Sequence, residues 1–171
     1  MRRPMLTTAL LVAGLAACGG TEPINDPRLL GEVRDRFDAW AKAWNDHSAA
    51  GLEPFYLHTP FLTFAWPNGE RTRGWEQESR FQQQFLPTVT LVNMVPRDPV
   101  VLLVRKNLAL ISFAFSLDLT TGGNRQIGPG QGIMLWQQGD RGWQIYAAQL
   151  SYTKAVESKV APLAPRAPGH R

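Results

Sequence analysis

The sequence predicts an α+β domain in which helices pack on one face of a curved antiparallel sheet. Apolar residues recur at spacings of three and four in the first half of the chain and alternate at spacing two after Pro87. The links between the alternating runs are so short that only antiparallel neighbours fit. The 171 residues are 44% hydrophobic, 10% aromatic and 19% charged. That balance suits one globular domain and excludes a disordered, collagen-like or multi-span membrane chain.

Asp26-Pro27 starts the first helix, with a side-chain oxygen for the orphan amides followed by a residue that has no amide to waste. Leu30, Val33, Phe37, Trp40, Ala41 and Trp44 then form one apolar stripe over about five turns. Glu32 and Arg36 are expected to pair on the wet side. Ser48 can cap a short second helix carrying Leu52, Phe55 and Tyr56, which Pro54 makes irregular. Phe61 to Trp66 reads as a strand, Pro67-Asn68-Gly69 as its turn and Arg71 to Arg73 as the return. A third helix spans Trp75 to Phe85, with Trp75, Phe81 and Phe85 as its apolar stripe. Five strands follow: Val89 to Val95, Val100 to Val104, Leu108 to Leu119, Gly130 to Gln137 and Trp143 to Thr153, with Gly128-Pro129-Gly130 as a bend entering the fourth.

The chain is read as residues 1–17 signal peptide, 18–25 tether, 26–154 domain and 155–171 disordered tail rich in Pro, Ala and Arg. Arg2 and Arg3 precede a 13-residue small and apolar run, Met5 to Ala17, too short to cross a bilayer comfortably. The run ends Leu15-Ala16-Ala17-Cys18-Gly19, which resembles the lipobox of bacterial lipoproteins. That resemblance implies thioether attachment of diacylglycerol to Cys18, cleavage before it and acylation of its new amine, giving the two or more chains that durable anchoring needs. Cys18 is the only cysteine, so it has no disulfide partner within the chain. Gly19 rather than Asp at the next position resembles the outer-membrane sorting signal, implying an envelope protein facing the periplasm. Without Arg2 and Arg3 the formal charge falls from +4 to +2, too small to suggest nucleic acid.

Trp40-x-x-x-Trp44-Asn45 in the first helix, the capped Leu52 and Tyr56 segment, the Gly74-led helix with Phe81 and Phe85, and the closing Gly142-Trp143-x-Ile145 together resemble the nuclear transport factor 2-like, or SnoaL-like, superfamily. The likeness covers roughly Leu29 to Tyr152. It implies a cone, three helices wrapped by the sheet, with a pocket at the open end and frequent pairing as homodimers.

That family's closing strand often carries a His where this chain has Gln149, which cannot move a proton near neutral pH. Strict alternation would put Trp143, Ile145, Ala147, Gln149 and Ser151 on one side, facing the cone. The resemblance also implies a strand-borne Asp base in the family's isomerases, yet Phe61 to Ala65 has no carboxylate. Asp118 is the remaining candidate base if Ser112, Ala114, Ser116 and Asp118 face inward. The outward alternative is preferred, because strand-end acids are usually solvated. His58 is a second, weaker catalytic candidate at the pocket mouth.

Trp40, Tyr56, Trp66 and Trp75, with Gln149 and Ser151, are the expected ligand pocket, while Trp44 and Trp143 are expected core. No metal-ligand spacing, phosphate loop or serine elbow occurs, so no metal or cofactor is implied. The leading expectation is a lipid-anchored domain binding a small apolar or amphipathic molecule without catalysis. An isomerase, cyclase or dehydratase using Asp118 and a dimerising interaction module are the alternatives.

Overall fold

The computed structural model describes residues 25–153 and 156–159. The signal segment, Cys18, most of the tether and residues 160–171 lie outside them. Asp26 accepts a hydrogen bond from the Arg28 N–H at 2.8 Å, and helix α1 (Pro27–Asn45) runs from this cap. Its buried stripe is Leu29, Val33, Phe37, Trp40, Ala41 and Trp44, so the stripe begins one residue earlier than the spacing suggested. Arg36 does not pair with Glu32. It donates to the carbonyls of Pro54 (2.7 Å) and Trp143 (3.2 Å), and Glu32 pairs instead with Arg28. Ser48 caps α2 (Ala49–Leu52), which tightens into a 3-10 turn, Glu53–Phe55, at Pro54.

The remaining elements are β1 (Thr63–Ala65), β2 (Arg71–Arg73), α3 (Trp75–Phe85), β3 (Val89–Arg105), β4 (Leu108–Thr121), β5 (Asn124–Gly139), β6 (Gly142–Tyr152) and β7 (Val156–Lys159). The seven strands form one curved, unclosed sheet in the order β2-β1-β6-β5-β4-β3, with β7 on β5. Every pairing is antiparallel except β1 with β6. The sheet is therefore mixed. The rule that short links force antiparallel neighbours does not reach β1 and β6, which are far apart in sequence.

Two expected strands are one. Val89–Arg105 pairs with β4 throughout and absorbs an extra residue between Arg97 and Val100, where Asp98 takes a φ of 50°. Arg97-Asp98-Pro99 is thus a bulge, not a link. The segment 128–130 is not a bend either, because β5 begins at Asn124 and carries it mid-strand. A Cβ on Gly130 would lie 2.2 Å from the Phe115 ring, and one on Gly132 would lie 2.4 Å from that of Phe113. The glycines are there so that β4's aromatic rings can lie across β5. Val156–Lys159, assigned to a disordered tail, pairs in register with Asn124 to Ile127.

β3 is an edge strand, and α1 with the residues flanking it covers its free edge with side chains. Asn45 Nδ2 donates to the Met94 carbonyl (3.0 Å) and Asn45 Oδ1 accepts from the Met94 N–H (2.7 Å). His47 Nε2 accepts from the Val92 N–H (3.1 Å), and at the other end Asn25 Oδ1 accepts from the Leu103 N–H (3.2 Å). Amides that would otherwise recruit another strand are thereby satisfied. These contacts also fix direction: α1 begins beside the β3–β4 turn and ends at the opposite end of the sheet.

Candidate functional site

The inner face of the sheet, helices α1 and α3 and the β1–β2 turn surround a cavity of about 150 Å³. Its floor is Trp44, Trp66, Met94, Phe115, Leu117 and Leu150, and exposed Asn68 with half-buried Thr121 and Gln126 stand at its rim. Trp66, Phe81 and Phe85 stack along one wall with Phe64 behind them, successive centroids from Phe64 to Phe85 lying 4.0, 5.1 and 5.3 Å apart. Trp44 meets Trp66 edge-on at 5.0 Å. A dry cavity of this size in an engineered protein admits a single benzene ring.

Two polar atoms in this wall lack a hydrogen-bond partner among the described residues: Tyr152 Oη and Trp44 Nε1. Burial pushes the Tyr152 hydroxyl up to about 12, so it stays a neutral donor and acceptor at physiological pH. Trp44 Nε1 approaches the Tyr56 hydroxyl without meeting hydrogen-bond geometry. The wall has no Asp, Glu, His, Lys, Arg or Cys among the described residues.

Behind the wall lies a polar cluster that the sequence reading missed. α3 buries Glu78 and Gln82, while Trp75, Phe81 and Phe85, its expected core stripe, are only half-buried. Glu78 Oε2 accepts from Trp66 Nε1 (3.3 Å) and from the Thr72 hydroxyl, and Oε1 accepts from Gln82 Nε2 (2.8 Å). Burial raises the carboxyl's pKa, and the three hydrogen bonds only partly offset it. Tyr56 is fully buried, with its hydroxyl accepting from Trp40 Nε1 at 3.2 Å. Burial, and next the negative charge of Glu78, push that phenol well above its ordinary range. The signal that could have found Glu78 is its place at i+3 from Trp75 and i−3 from Phe81, on the helix's inward side.

Of the expected pocket residues, only Trp66 lines the cavity. Trp40 and Tyr56 are core beneath it. Trp75 stacks on His58, centroids 4.2 Å apart and planes nearly parallel, in an outer groove with Arg73 and Arg80. His58 therefore sits outside the cone, 3.8 Å from Glu53. Gln149 and Ser151 face outward with Ser112 and Gln131. The cause is a bulge in β6: Leu135 pairs with Ala147 but Trp136 with Ile145, leaving Tyr146 as an extra residue. One extra residue inverts the parity beyond it. Trp143 and Ile145 point in before the bulge, and Ala148, Leu150 and Tyr152 point in after it.

Asp118 faces outward as well. Its carboxylate accepts from Arg125 Nε (2.9 Å) and Nη2 (2.7 Å), and these bonds hold it below the ordinary range. An acid so paired, on the outer face, is no base for the cavity. Trp44 and Trp143 are buried as expected, though Trp44 also forms part of the cavity floor. No three potential metal ligands cluster among the described residues.

Solved structures share this architecture. A candidate aromatic ring hydroxylase from Novosphingobium aromaticivorans superposes with a TM-score of 0.69 at 12% identity, covering 78% of this chain and 95% of that one. A nuclear transport factor 2-like superfamily protein from Salmonella enterica gives 0.64 at 16% identity, covering 84% and 99%. A cystatin-like fold protein from Burkholderia xenovorans gives 0.59 at 18%, covering 81% and 97%. No protein-family model and no curated protein matches the chain. The chain carries a domain of the nuclear transport factor 2-like, SnoaL-like fold.

Proposed function

We propose that this chain is a lipid-anchored envelope protein whose cavity holds a small aromatic or amphipathic molecule without transforming it. The observation that carries the reading is the wall itself. It is almost wholly apolar, has no side chain that exchanges protons near neutral pH, and offers Tyr152 Oη as a buried polar group awaiting a partner. A ligand with one aromatic ring and one hydroxyl or carbonyl would bury the ring against Trp66 and Phe115 and satisfy Tyr152. Glu78 and Tyr56 are the nearest ingredients of proton transfer, but neither is in the wall, and Glu78 is occupied by three protein donors.

The test compares p-cresol with toluene by tryptophan fluorescence and calorimetry on the full chain. Both should bind, p-cresol more tightly, and Tyr152→Phe should cost p-cresol about 2- to 10-fold while leaving toluene unchanged, the worth of one neutral hydrogen bond. Failure of both probes to bind at millimolar concentration would overturn the reading.

A second reading, pairing through the sheet, is favoured by the outer face, where exposed Ile133 lies among Ser112, Gln131, Gln149 and Ser151. A native mass of twice the chain, returned to one chain by Ile133→Asp, would support it, and a single-chain mass at micromolar concentration would remove it.

A further inference from the structure

We infer that the domain stands on the bilayer by its β3–β4 turn, with the cavity mouth turned away from the membrane and open to the aqueous compartment. This rests on the lipid-anchor reading of Cys18 and adds an orientation to it. The chain enters the fold at Asn25, which is pinned to the Leu103 N–H at 3.2 Å, two residues before the end of β3. The rim of the cavity, at Thr121 and Gln126, lies at the opposite end of the β4 and β5 strands.

The lengths decide the matter. From Cys18 to Asn25 there are seven residue steps, which at full extension reach roughly 25 Å. Asn25 lies level with Ala109, the partner of Leu103, and from there to Thr121 strand β4 carries the rim on the order of 40 Å away at the usual rise. An acylated Cys18 can therefore lie in a bilayer beside the turn. It cannot do so with the mouth pressed against that bilayer, since Asn25 would then be held farther away than the tether extends.

The surface at the anchored end suits the contact. Leu102 and Val104, 46% and 49% exposed, flank the pinned Leu103 on the outer face of the edge strand. Arg105 ends β3 and Lys106 begins the turn. Aliphatic side chains next to basic ones are what an anionic interface accepts, the stems packing at the acyl boundary and the charges staying among headgroups. The weak attraction of such a small patch gains from the tether, which keeps it at high local concentration near the lipid. On this geometry the ligand arrives from the aqueous side.

The full chain, produced in an exporting bacterium, is reconstituted into vesicles of three parts phosphatidylcholine to one part phosphatidylglycerol containing a headgroup nitroxide. An environment-sensitive dye is placed on Val104→Cys or, at the far hairpin, on Asn124→Cys. Intact mass first reports whether Cys18 is acylated; an unmodified mass removes the anchor reading and the orientation with it. With acylation present, the dye on Val104→Cys should be quenched several-fold more than that on Asn124→Cys, and Arg105→Glu should weaken the difference. Equal quenching at the two sites, stronger quenching at Asn124→Cys, or a shielded but unquenched Val104 site in a species of twice the mass would each overturn the orientation while leaving the anchor intact.

Discussion

The carboxyl of Glu78 accepts the indole N–H of Trp66 at 3.3 Å, and both residues are buried. Trp66 is a cavity-floor residue, so a titratable group beneath the wall fixes the angle of one of its two indole rings.

Because burial raises the Glu78 pKa above its ordinary 4.5, the folded state favours the protonated acid. Its contribution to stability is complete below the unfolded value and is lost as pH rises through the folded one. Glu78→Gln should therefore gain in melting temperature relative to wild type as pH rises from 4 to 8, the Gln82 amide turning to present its oxygen. A difference that stays flat across that range would mean that burial does not raise the Glu78 pKa. Glu78→Ala leaves the Trp66, Thr72 and Gln82 donors without their acceptor and should cost about 3 kcal/mol in urea unfolding.

Gly130→Ala and Gly132→Ala should each destabilise by about 2 kcal/mol or more, since the new Cβ would overlap a Phe ring held in the core. Equilibrium denaturation checks this, and Phe115→Leu should restore part of the loss in the first variant by removing the ring that clashes.

Trp143→Ala should cost about 3 to 5 kcal/mol, because the ring is buried at the start of β6 under α1. Melting close to wild type would remove Trp143 from the core.

Gln149→Leu and Asp118→Asn should leave p-cresol affinity unchanged, since both side chains stand on the outer face. Leu150→Trp, one residue along from Gln149 but pointing inward, should abolish binding by filling the cavity. A loss of affinity in Gln149→Leu with the fold intact would argue against the β6 bulge at Tyr146.

The sequence by itself determined the three helices, the strand-rich second half and the cap at Asp26, because each depends on periodicity and on neighbours a few residues away. It also marked Trp143 as core. What surrounds the cavity was decided by tertiary structure. The bulge at Tyr146 is a feature of the β5–β6 pairing, and it turned Gln149 and Ser151 from the inside to the outside. The mid-strand glycines were mistaken for a bend because the rings that need their absent side chains belong to another strand. Glu78 was passed over because two of its donors, Trp66 and Thr72, come from the β1–β2 region folded against α3. Local pattern fixes which residues form an element. Which way a side chain faces beyond an irregularity, and whether a charge is buried, depend on contacts between elements that no short window of sequence contains.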